Sequence, residues 1–81
     1  MGYRDEVREN IILEGMKKSP VYAEQQLEKY QKVAAINYRL YKMADSQKEK
    51  QLRYADSQNA YAKAAAWKDV LAILLRKLSG R

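Results

Sequence analysis

The side chains of this chain with any capacity for chemistry are ten carboxylates, seven tyrosine hydroxyls and sixteen lysine or arginine groups; cysteine and histidine are both absent. That composition removes the thiolate nucleophile, the commonest general base and the commonest transition-metal ligands. General acid–base catalysis would then need paired carboxylates in a sheltered cleft. The acids are scattered instead, and Asp5, Glu6 and Glu9 sit where a solvated helix N-terminus would carry negative charge. There is no glycine-rich phosphate loop, no nucleophile elbow and no carboxylate cluster spaced for a metal. A non-enzymatic protein is expected, with no metal, cofactor or small-molecule substrate.

Cationic and aromatic residues form the other chemical pattern. Tyr30, Tyr38, Tyr41, Tyr54 and Tyr61 lie among Lys29, Lys32, Arg39, Lys42, Lys48, Lys50, Arg53 and Lys63. Such a face could track a phosphate backbone and stack bases, or meet an acidic protein. The same residues suit helix packing, since tyrosine buries its ring and keeps its hydroxyl wet. No recognition-helix motif, RNP sequence or long basic run accompanies them, so nucleic-acid association stands as a rival reading. Charge is uneven along the chain. Residues 1–28 carry four basic and six acidic groups, whereas residues 29–81 carry twelve and four, leaving +6 overall.

The elements that must carry these residues are helices. Between Pro20 and Gly80 no helix breaker occurs, and the interval is rich in Ala, Leu, Lys, Gln, Glu and Arg. No segment alternates as a strand would, so the class is all-α. A short first helix is expected over about 3–18, with Tyr3, Val7 and Ile11 recurring at i+4 and Ile12 and Met16 widening the apolar surface. Gly15 and the Ser19-Pro20 pair end it. Ser19 caps the next helix, with Pro20 at its first position.

From there two architectures compete. One is a single long helix over about 20–79, favoured by the tetrapeptide ADSQ at 44–47 and again at 55–58, eleven residues or three helical turns apart. The other is a three-helix bundle with a turn near 44–47, supported by the capping-box pair Ser46 and Glu49. The chain divides accordingly into a first helix, a second segment over 20–44, a polar middle over 45–59 and an amphipathic segment over 60–79.

Two apolar surfaces stand out. Trp67, Val70, Leu71, Leu74, Leu75 and Leu78 fall within an arc of roughly 140° on a helical wheel. Burying such side chains is worth about 1.5–3 kcal/mol each, so that face requires a cover. The cover is the chain's own core or a copy of itself, a groove in another protein, or, less favoured, a membrane surface. Residues 27–44 carry two seams: Val33, Ile36, Leu40 and Met43, and beside them Leu27, Tyr30, Ala34, Asn37 and Tyr41, with Asn37 either selecting register within the seam or, as the favoured reading, at an exposed edge. Together they make a face wide enough for a bundle.

An 81-residue chain has room for one small domain, and without disulfides its remaining route to stability is burial against partners. The first ten residues are too charged for a signal peptide, and the longest apolar run is too short to span a bilayer. A soluble, intracellular helical assembly or adaptor protein is therefore expected, working through helix–helix contacts. The alternatives are a small inhibitor occupying a partner's groove and the nucleic-acid reading above.

Overall fold

The computed structural model describes residues 3–80, with side chains described from residue 5 onward. It consists of three helices: α1, Tyr3–Gly15; α2, Pro20–Met43; and α3, Gln47–Ser79. Helix α3, at about 1.5 Å per residue, runs for about 50 Å and sets the 53 Å long axis. Helix α2 folds back along α3, and α1 packs on α3 near the end remote from the turn. No strand occurs among the described residues.

Each helix start has a local cause. Ser19 takes extended backbone (φ −86°, ψ 160°), its Oγ accepts from the Tyr22 N–H at 3.2 Å, and Pro20 follows at the first helical position. Ser46 repeats the device at φ −101°, ψ 151°, its Oγ accepting from the Glu49 N–H at 3.1 Å. Helix α1 stops at Gly15 rather than near residue 18. Its end tightens through Lys17 N–H to Glu14 C=O (3.2 Å) and Lys18 N–H to Gly15 C=O (2.9 Å), a turn and not a further coil of helix.

The continuous helix over 20–79 is not formed. Ala44 is extended (φ −68°, ψ 141°), and the chain reverses through Ala44, Asp45 and Ser46. Ala44 and Ser46 use backbone that any residue adopts, so the reversal asks for neither glycine nor proline at these positions. The two ADSQ copies therefore have different fates. The first spans the reversal. The second lies inside α3, where Ser57 is fully buried and its hydroxyl donates to the Ala34 carbonyl of α2 at 3.1 Å. Three residues after Ser46 stands Glu49, whereas three after Ser57 stands Ala60. Only the first copy has the capping-box partner. Replacing Ser46 with alanine should cost about 1 kcal/mol, because one N–H at the start of α3 loses its acceptor. Thermal unfolding would show this as a lowered Tm, and an unchanged Tm would mean that the cap contributes nothing.

The interior is filled unequally along its length. Ala23, Trp67, Val70 and Leu74 form the buried cluster, with Ile11, Ile12, Leu27, Tyr30 and Leu71 packed around it. Towards the turn the buried residues are Ala34, Ser57, Ala60 and Ala64. Small side chains let α2 and α3 approach closely, but they remove little apolar surface from water. One end of the hairpin holds the core, and the other is a thin seam.

Candidate interaction surface

Helix α1 decides which part of the hairpin is covered. It is fastened to α3 at Gly15, where a Cβ would lie 2.8 Å from Val70 Cγ1 and 3.0 Å from Trp67 Cζ3. It is fastened again by Arg8, whose Nη2 lies 2.6 Å from Asp69 Oδ2. That ion pair is about half exposed on both sides, so its contribution is under about 1 kcal/mol. The apolar contacts dominate. With thirteen residues, α1 is only about 20 Å long and leaves the turn-proximal half of the hairpin without a third helix.

Of the expected C-terminal face, Trp67, Val70 and Leu74 are buried within the chain and Leu71 is half-buried against them. Leu75 and Leu78 remain exposed. The cover for the centre of this face is thus α1 and α2 of the same molecule. Val7 and Ile11 of α1 are half-buried, while the side chain of Tyr3 lies outside the described residues. On α2, Leu27 and Tyr30 pack against the core, and Val33 and Leu40 are half-buried. Ile36 and Met43 are 54% and 70% exposed.

Asn37 is not at an exposed edge. It is half-buried: its amide donates to the Val33 carbonyl at 3.0 Å, and its side-chain oxygen accepts from Arg53 Nη1 at 3.4 Å. The reason is the antiparallel return of α3, which brings Arg53 opposite Asn37. Arg53 also has its Nε 3.8 Å from the Glu49 carboxylate, one turn earlier on α3.

The open half of the hairpin has two unlike sides. On one, a cleft of about 350 Å³ is lined by Tyr30, Val33, Asn37, Asp56, Asn59, Ala60 and Lys63. Leu52, Asp56, Asn59 and Lys63 follow one another at spacings of four, three and four, and the same stripe continues into Trp67, Val70 and Leu74. Where α1 is present the stripe is apolar and buried; beyond α1 it is polar until Leu52, which is 58% exposed. Val33 is the one of the four seam residues that lines this cleft; Leu40 follows it, and Ile36 and Met43, two and nine residues from the buried Ala34, turn to the outer rim of α2. Leu52 carried no signal of its own in the sequence, because its neighbours on the stripe are polar.

On the other side stand the tyrosines. Tyr38 and Tyr54 each come two residues after Ile36 and Leu52, which turns them about 160° round their helices. Tyr41 bridges them, with ring centroids 5.7 Å from Tyr38 and 5.4 Å from Tyr54. Lys50 joins Tyr41 and Tyr54 in lining a second cleft of about 440 Å³. Several cations are already engaged with rings. Lys42 lies over Tyr38 at 5.0 Å, and Lys29 and Lys63 lie over Tyr30 at 5.2 and 5.5 Å. Lys32, Arg39 and Lys48 are exposed on the outside of the hairpin.

Among the described residues no group of three or more carboxylates converges as metal ligands would, and no helix is long and apolar enough to cross a membrane. Comparison with protein-family models, with characterised proteins and with solved structures finds no match for this chain.

Proposed function

We propose that this chain is a non-enzymatic helical assembly module, and that its interaction face is the aliphatic side of the open hairpin: Val33, Ile36, Leu40 and Met43 with Leu52. The observation that carries this reading is the excess of surface. A compact monomer of 9.5 kDa exposes about 5,000 Å² by the usual size scaling, and this one exposes 6059 Å². Its radius of gyration of 14.7 Å likewise exceeds the roughly 11.7 Å of a compact chain of this length. The surplus of roughly 1,000 Å² is comparable to what one partner loses in a standard interface, about 800 Å². Large aliphatic side chains lie on that surplus, and desolvating them is the driving force for association.

The nucleic-acid reading draws less support. Lysines over Tyr30 and Tyr38 occupy ring faces on which bases would stack. The two readings separate by site-specific photocrosslinking in the source cell. A photoreactive residue at Met43 should give discrete crosslinks to protein, and the same residue at Glu24, exposed elsewhere on α2, should give none. Equal labelling at both positions, no labelling at Met43, or products removed by nuclease would each overturn the proposal.

A further inference from the structure

The partner that best fits this face is a second copy of the chain. We infer an antiparallel two-fold dimer in which α1 of each protomer lies over the open half of the other's hairpin. The inference rests on the assembly reading above and deepens it by naming the occupant.

Shape is the first reason. Each molecule is a long hairpin with a third helix packed on α3 over one half only, so its outline steps down where α1 ends. Two stepped bodies placed antiparallel fill each other's steps, because the vacant length along a 53 Å axis matches an α1 of about 20 Å with room for its linker. A two-fold arrangement uses this contact twice and closes, leaving no third copy to add. The surplus of roughly 1,000 Å² over a compact chain is ample for the roughly 800 Å² per partner that a stable complex buries.

Charge is the second reason. Residues 3–15 carry four acidic and two basic side chains, a net of −2. Residues 32–63, the open half, carry seven basic and three acidic ones, a net of +4. A parallel pair would set the basic halves against each other, whereas the antiparallel pair sets acid against base at both ends. Such complementarity selects the orientation of an encounter more than its affinity.

The outer face of α1 supplies the matching groups. Leu13, 59% exposed, follows Ile11 by two residues and so points about 160° away from the side that Ile11 packs on the core. Glu6 and Glu9 precede it by seven and four residues on that outer face, and both are exposed. Opposite them the partner offers Ile36, Met43 and Leu52, with Lys32, Arg39 and Lys48 outside. One leucine flanked by acids meets an aliphatic strip flanked by bases.

A charge-swap experiment tests this. Sedimentation equilibrium of the full chain should give twice the 9.5 kDa protomer mass. The variant E6K/E9K and the variant K32E/R39E should each dimerise at least about tenfold more weakly, because like charges then face each other at both contacts. An equimolar mixture of the two should regain dimer, since both of its contacts pair opposite charges again. All four sites are exposed helix surface, and unchanged helical circular dichroism verifies folding. A monomeric wild-type chain at every concentration would overturn the dimer, and Met43 crosslinks to a different protein would then leave the assembly reading standing alone. A dimer indifferent to both variants, or a mixture no stronger than its components, would overturn the antiparallel arrangement.

Discussion

Truncating Trp67 to alanine should cost about 3–5 kcal/mol of folding stability, the range for removing a large aromatic from a packed interior. The indole is 7% exposed and stands where all three helices meet. It packs in the cluster with Ala23, Val70 and Leu74, receives Tyr22 at 5.6 Å in an edge-to-face arrangement, and closes against the end of α1. A chain of 81 residues is expected to hold only about 4–12 kcal/mol in total, so this variant should be partly or wholly unfolded at room temperature. Urea titration followed by far-ultraviolet circular dichroism measures the change. A loss below about 1 kcal/mol would mean that the cluster does not hold the fold together.

The second large effect is expected at Gly15. Leucine there should detach α1, because even a Cβ would stand 2.8–3.0 Å from two methyls of the fully buried Val70 and from the Trp67 ring. Val70 is β-branched and stiff at χ1, so its methyls cannot swing aside. Alanine is the instructive intermediate. It improves helix propensity by about 1 kcal/mol over glycine, which offsets part of the clash. Gly15→Leu should therefore lose stability and redden the Trp67 emission as water reaches the indole, with Gly15→Ala lying between it and the parent. Emission unchanged in both variants would show that α1 does not need this close approach. If the parent chain dimerises, Gly15→Leu should also weaken the dimer, since α1 is the element each protomer presents.

How much of this was legible in the sequence depends on whether the cause was local. The all-α class and the starts of α2 and α3 were visible because Ser19-Pro20 and Ser46 through Glu49 act within one helical turn. The break itself was the harder point. The duplicated ADSQ suggested one helix continuing through both copies, and only the residue three places after each serine separates a cap from an interior position. Gly15 looked like a helix breaker, but its closer constraint is Val70, fifty-five residues away. Asn37 looked peripheral because its partner Arg53 arrives only when the hairpin forms. The periodicity of the face centred on Trp67 shows that it needs a cover. That the chain itself supplies the cover, and supplies it over only half its length, depends on the docking of α1, which no periodicity encodes.

The placement of the bulky core at the end of the hairpin away from the turn has a kinetic consequence. Ala23 and Trp67 are forty-four residues apart in the chain, yet they belong to the one substantial cluster. Contacts near the reversal are the cheapest to form in entropy, but the side chains fully buried there are alanines and a serine, while the Tyr38, Tyr41 and Tyr54 rings and the Asn37–Arg53 pair stay partly in water. The contacts that reward closure come last along the hairpin, after the loop-closure cost has been met. Zipping outward from the turn is thus uphill until Trp67 reaches Ala23, and the rate of folding is governed by a long-range event in a molecule whose secondary structure is wholly local.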